Sequence, residues 1–219
     1  MIFTCISTGS GGNGYLLESE SAVLIIEAGK GTFKKILANI PENKKLSGLI
    51  YTHLHSDHSG DWERFQKITE VFYFGAKNRV ETDDWIIKRF KVLHNCECWA
   101  FAIFCKEEKK SMLFVTDFTQ VVDKELYNFI PDFAAVELSY NEMIYKQMNE
   151  AERHGLMWHS SDFHTIGVLR KFFTNNPNMK AVTIHKSERA CNYGATNKML
   201  FENFGLRAEI ISEGKKYKF

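Results

Sequence analysis

Residues 52–61, THLHSDHSGD, place three histidines and an aspartate within six positions. Imidazole and carboxylate groups cost free energy to bury unless something pairs with them, so a core would not select this run. His53 and His55 are two apart, so on a segment leaving a strand both rings face the same side. Asp57 and His58 follow where the chain turns and face a second nearby point. Two ligands for one ion and two for its neighbour suit a binuclear site, in which metals lie about 3.5–4 Å apart. Nitrogen and oxygen donors without thiolate make two divalent ions the expected cofactors, with Zn2+ first and Mn2+ or Fe2+ as alternatives.

Such a site needs ligands beyond these four. His94 in KVLHN, Asp117 in LFVTDF and His185 in AVTIHKS each end an apolar, strand-like run, from which a side chain can project off a sheet edge into a cleft. A lone histidine in such a place is usually structural. The same placement three times over makes the three candidates together.

The bulk composition bounds what surrounds this cluster. A chain of 219 residues with 44% hydrophobic and 14% aromatic residues is globular, and its length suits a single domain over 1–219. The net charge of +1 excludes a global basic field for non-specific nucleic-acid binding, so a polyanion would have to meet a local patch. Five cysteines, Cys5, Cys96, Cys98, Cys105 and Cys191, have no framework spacing and fit ordinary thiols in a reducing compartment. No signal peptide and no membrane-spanning run is read, and a cytoplasmic protein is expected.

Strand-like runs recur as MIFTCIS, YLLES, AVLIIEA, LSGLIYTH and EVFYFG, then at 89–93, WAFAIFCK, SMLFVTD, KAVTIH and RAEIISE. Helices are expected over 31–40, 61–69, 141–153, 163–175 and about 188–204. The Gly-rich opening STGSGGNGYLLE lacks a phosphate-loop frame and reads as a hairpin turn that lets backbone approach the site.

In this order, VLIIEAG, HLHSDH, His94, the TD of Asp117 and the late His185 resemble the metallo-β-lactamase fold superfamily over nearly the whole chain. The resemblance implies a four-layer αββα sandwich of two mixed β-sheets flanked by helices. It also implies that His53, His55 and His94 hold one metal, Asp57, His58 and His185 the other, with Asp117 bridging. Glu27 stands where the family usually has Asp, a position that orients ligand histidines.

AAVELSYNE, LMWHSSDF and VTIHKSER resemble the tRNase Z-like and YycJ/WalJ-like phosphodiesterase branches. The Gly-rich opening, the HN at 94–95 and ELSYN at 137–141 lean toward the second, although Asn95 replaces its usual Asp. Carried over, Glu137 and His159 are the pair that delivers a proton to the leaving oxygen. Lys186 departs from the usual apolar residue after the last ligand histidine, and with Arg189 it could meet a phosphate or simply face solvent.

The chemistry is coherent apart from the family. A metal-bridging hydroxide can attack phosphorus because bound metal lowers the pKa of water to roughly 7. The leaving alkoxide is poor, so a positioned general acid is worth about 10²–10⁴-fold. The expectation is a binuclear metal-dependent phosphodiesterase or nuclease with catalytic Asp57, Glu137 and His159, taking a nucleic-acid or nucleotide substrate. A homodimer is compatible with the sequence. Only 35 residues separate His58 from His94, too few for the long RNA-gripping arm of tRNase Z proteins. The alternative is a cyclic-nucleotide phosphodiesterase that stacks a base near Trp62, Tyr140 or Trp158. A thioester or lactam hydrolase does not call for the acid pair, and a non-catalytic binding module does not call for seven ligands.

Overall fold

The computed structural model describes residues 1–72 and 78–219. In chain order the elements are β1 (Ile2–Ser7), β2 (Gly14–Glu18), β3 (Ala22–Ala28), α1 (Phe33–Leu37), β4 (Lys45–Ile50), α2 (Ser56–Ser59) and α3 (Trp62–Phe65). There follow β5 (Arg79–Glu81), β6 (Trp85–Leu93), β7 (Glu97–Cys105), β8 (Lys110–Val115), β9 (Gln120–Val121) and, after a 3-10 turn at Lys124–Asn128, β10 (Phe133–Glu137). The chain ends with α4 (Glu142–Gln147), α5 (Glu150–His154), α6 (Asp162–Asn175), β11 (Lys180–Ile184), α7 (Tyr193–Phe204), β12 (Ala208–Ile210) and β13 (Lys216–Lys218).

Two mixed sheets with flanking helices result, the αββα class expected from the sequence. One runs β13-β1-β2-β3-β4, antiparallel except for the parallel pair β3–β4. The other runs β12-β11-β10-β8-β7-β6-β5, with β8, β10, β11 and β12 parallel and β5–β6 antiparallel. Contacts divide the chain into two compact units. The first is Met1–Arg89 with Ile103–Lys110 and Ser212–Phe219; the second is Phe90–Ala102 with Ser111–Ile211.

In the first unit Leu16, Val23, Ile25 and Leu49 pack with Ile36 of α1 and Phe65 of α3. All seven residues of β3 are buried, so it reads as an unbroken apolar run rather than an alternating one. In the second unit Leu113, Val115, Ala134, Val136 and Ala181 pack with Ile166, Leu169, Phe172 and Phe173 of α6 and Leu200 and Phe204 of α7. That spacing along α6 is one helical face.

The structure corrects several sequence expectations. The helix expected over 61–69 is shorter, Trp62–Phe65, with a separate turn of helix at Ser56–Ser59 inside the histidine cluster. The helix over 141–153 is two helices, because Asn149 forms a reciprocal capping box with Glu152 and restarts the chain there. The strand FAAVE of β10 carried no signal, since alanine is a helix former and both faces of this parallel strand are buried. The polar strand β13 also carried none; it forms only by pairing with β1. Half of the expected strand EVFYFG, residues 73–75, lies outside the described residues, and Val71 makes an isolated parallel bridge with Leu49. Among the described residues, no helix is long and apolar enough to cross a membrane.

Candidate metal centre and acid pair

Three buried site residues sit just where strands end: Glu27 (φ 64°), Asp117 (φ 49°) and His185 (φ 53°) all adopt the left-handed region. Residues other than glycine are uncommon there, and held strain of this kind clusters at functional sites.

In the first unit, Glu27 caps β3 and accepts hydrogen bonds from Thr52 Oγ1 (2.7 Å) and Thr52 N (3.3 Å). Thr52 Oγ1 also lies 2.9 Å from His53 Nδ1. The hydroxyl has one proton and gives it to the carboxylate, so it accepts from His53. Nδ1 therefore carries the ring hydrogen and Nε2 the lone pair. His53 Nε2 and His55 Nδ1 converge to 3.0 Å, near the about 3.3 Å between two nitrogens at the tetrahedral angle on one Zn2+ ion. Leu54 between them is exposed, as two-residue alternation requires.

The short helix α2 carries the next two side chains, and the His58 ring centroid lies 4.3 Å from that of His53. His58 is fully buried, with Nδ1 3.5 Å from Glu27 Oε1 and Nε2 3.3 Å from Asp57 Oδ2. Asn13, in the β1–β2 turn, holds this corner: its backbone N donates to Asp57 O (2.7 Å) and its Nδ2 lies 3.2 Å from His58 Nε2. The Gly-rich opening is thus the expected hairpin turn, and it does bring backbone to the site. A Cβ on Gly29 would lie 2.1 Å from Asp57 O, so only glycine permits that approach. Asn13 and Thr52 were missed in the sequence. The signal for Thr52 was its position before the first histidine; Asn13 was hidden among turn residues.

In the second unit, His94 donates from Nδ1 to Trp158 O (3.1 Å), since a carbonyl only accepts. Its Nε2 again bears the lone pair and lies 3.7 Å from Asp117 Oδ2. His185 Nδ1 lies 3.3 Å from Asp117 Oδ1, and His159 Nδ1 lies 3.9 Å from the Oδ2 that also faces His94. Asp117, Glu137, His159 and His185 offer ligand atoms all within 4.8 Å of one another.

Glu137 ends β10 and is fully buried. Its Oε1 accepts from His159 Nδ1 (2.7 Å) and His185 Nδ1 (3.1 Å), its Oε2 from Phe118 N (3.1 Å) and Ser160 N (3.2 Å). Burial alone would raise its pKa, but His159 and His185 together hold it down at about 2. Burial likewise opposes charge on His159, and the Glu137 and Asp117 carboxylates outweigh it, raising the imidazole above its usual range. A fixed carboxylate at Nδ1 thus favours the charged form of the His159 ring.

The remaining candidates have other surroundings. Lys186 is buried, donates to Ile211 O (3.3 Å) and lies 4.0 Å from the Tyr193 ring centroid, while Arg189 is exposed on the loop before α7. Trp62 packs beside Tyr51, and Tyr140 stacks on Tyr145 at 4.9 Å. His164 is half-buried, with Nδ1 3.1 Å from Ser160 Oγ.

This is the metallo-β-lactamase fold, and over residues 7–78, which span Glu27 and the histidine cluster, the sequence matches the Metallo-beta-lactamase superfamily. Among solved structures the chain is similar to the metallo-beta-lactamase fold protein YhfI from Bacillus subtilis, at 16% identity and TM-score 0.75, covering 99% of this chain and 98% of that one. It is similar to the human short-form tRNase Z (14%, TM-score 0.67, 100% and 99%) and to a diphosphatase of the PhnP family (12%, TM-score 0.70, 100% and 97%). Comparison with curated proteins gives no match.

Proposed function

We propose that the protein is a binuclear metal-dependent phosphodiesterase. As the resemblance implies, two ions would be held by His53, His55, Asp57, His58, His94, Asp117 and His185. The donor set fits divalent zinc: nitrogen and carboxylate ligands, with the lone pairs of His53 and His94 set outward by acceptors on their Nδ1–H groups. When bound, such ions supply Lewis acidity and water of lowered pKa. The chain's own residues supply the rest. Glu137 stays ionised and holds His159 by Nδ1, and the His159 Nε2–H protonates the leaving oxygen.

The observation that carries this reading is the Glu137–His159 pair in one cluster with Asp117 and His185. A poor alkoxide leaving group needs such an acid; lactam or thioester opening calls for it far less. The tRNase Z and the diphosphatase among similar structures support phosphorus chemistry. We infer a nucleic-acid end or a nucleotide as substrate, in the cytoplasm. The net charge of +1 favours a small footprint, which keeps a cyclic nucleotide as the second reading.

The test is hydrolysis of bis-p-nitrophenyl phosphate, oligonucleotides and cyclic nucleotides by protein of known metal content. Turnover lost in Asp57→Ala, and reduced by about 10²–10⁴-fold in His159→Ala for alkoxide but not for p-nitrophenolate leaving groups, is the expected result. No turnover of any of them by protein carrying two metals per chain would overturn the reading.

A further inference from the structure

Asn141 lies four residues past Glu137, where β10 gives way to α4. It occupies the N-cap position of α4, yet its side chain makes no capping bond to that helix. It is buried, and its amide is turned inward instead. Nδ2 donates to Asp162 Oδ2 and to Thr196 Oγ1, both at 3.0 Å, while Oδ1 accepts from Asn192 N. Its backbone N donates to Ala190 O (2.8 Å). Asp162 in turn accepts from Glu142 N (3.1 Å) and Phe163 N (2.8 Å) at its other oxygen.

Three stretches of chain meet at this pair. The first carries Glu137, the second runs from His159 to Asp162, and the third runs from His185 to Asn192. Backbone bonds between them run through the same region: Ser139 N to Ser160 O, Asp162 N to Tyr140 O and Ser187 N to Ser139 O, each 2.9 Å. A buried amide and carboxylate are costly unless every group is satisfied, and here both amide hydrogens, the amide oxygen and both carboxylate oxygens are used. Such a network specifies one arrangement of the three stretches and penalises every other. Glu137 and His159 come from two of them, and their 2.7 Å bond depends on how these two are set against each other.

We propose that Asn141 is a positioning residue for the acid pair: through Asp162 it sets the stretch carrying His159 against the strand end carrying Glu137. This rests on the phosphodiesterase reading for its effect on rate, though not for its effect on His159 itself. Loosening the clamp lets the imidazole drift, and small misplacements of a catalytic group are costly.

The experiment uses metal-loaded protein and compares Asn141→Ala with the exchanged pair Asn141→Asp/Asp162→Asn. In the exchange a carboxylate and an amide trade places, so one amide–carboxylate bond and the acceptor for Asn192 N are kept. Two readouts are taken. The first is the hydrogen-bonded Nδ1–H resonance of His159 in ¹⁵N-histidine spectra, assigned by its loss in His159→Ala. Asn141→Ala is expected to shift or broaden it, and the exchange to restore it. The second is the leaving-group split: about tenfold slower dinucleotide cleavage with little change for bis-p-nitrophenyl phosphate, and no further loss when Asn141→Ala is added to His159→Ala. An unchanged His159 resonance in folded Asn141→Ala overturns the proposal whatever the substrate is. So does an equal slowing of both substrates, or a loss that adds fully to His159→Ala. If Asn141→Ala does not fold, the exchanged pair alone decides, since a wild-type resonance supports the clamp and a displaced one overturns it. Absence of phosphodiester turnover in the wild type with the expected resonance change would remove the functional reading and leave the clamp standing.

Discussion

His159 Nδ1 lies 2.7 Å from Glu137 Oε1, and the other oxygen of that carboxylate is fixed by the backbone amides of Phe118 and Ser160. The carboxylate therefore cannot turn away, and the imidazole is directed by one edge and left to react by the other.

The first prediction concerns Glu137→Gln. The two backbone amides will claim the amide oxygen, which turns the NH2 group toward His159 and forces its Nδ1 to accept. The charge that raised the His159 pKa is lost as well. A group acting as an acid works while protonated, so rate falls as pH rises through its pKa. The alkaline limb of a pH–rate profile for an alkoxide-leaving substrate should move to lower pH in Glu137→Gln. An unmoved limb would remove the pair from the mechanism.

Stability of the chelator-stripped protein should show both shifts. Glu137 is depressed to about 2 from its ordinary 4.5, so its contribution is complete above about 4.5 and is lost as pH falls toward 2. His159 is raised above its ordinary 6.5, so its contribution is complete below about 6.5 and is lost as pH rises through the raised value. The difference in Tm between wild type and the Glu137→Gln/His159→Ala double variant should peak between these two limits. A difference that grows steadily toward pH 9 would contradict the assignment.

Thr52→Val keeps shape but cuts the path from Glu27 to His53. The His53 ring then loses the hydroxyl that accepts from its Nδ1 at 2.9 Å. Metal affinity, measured by competition with a chromophoric chelator, should fall about 10–100-fold, and the metal-free protein should lose about 1–3 kcal/mol. Wild-type affinity would mean that the orientation of His53 does not depend on Thr52.

At Gly29 a methyl group meets Asp57 O at 2.1 Å and Asn13 N at 2.5 Å, both backbone atoms that cannot rotate aside. Gly29→Ala should therefore cost about 1–3 kcal/mol or more in chemical denaturation and displace the Asp57 corner. Metal content should fall with it. A fully metallated, equally stable variant would show that the corner can yield.

The HxHxDH run was legible because six positions held more ligating groups than a core tolerates, and its alternation survives in the converging rings of His53 and His55. The apolar runs of β3, β8 and β11 were legible for the same energetic reason. β10 was not, although it carries Glu137, because two alanines inside a doubly buried parallel strand give neither alternation nor β-branched bias. Lys186 looked available for phosphate from its neighbours in sequence, yet packing directs its ammonium to Ile211 O and the face of Tyr193.

By itself the sequence determined the chemical inventory, since residue types and short spacings fix which donors exist and which of them share a face. Only tertiary structure decided how those donors are presented. The hydrogen on His94 and the four bonds on Glu137 depend on partners distant in sequence, and the hydrogen on His53 is set by Glu27 acting through the adjacent Thr52. Hydrogen-bond direction is set by what stands opposite a group in space, and no local pattern of residues encodes that.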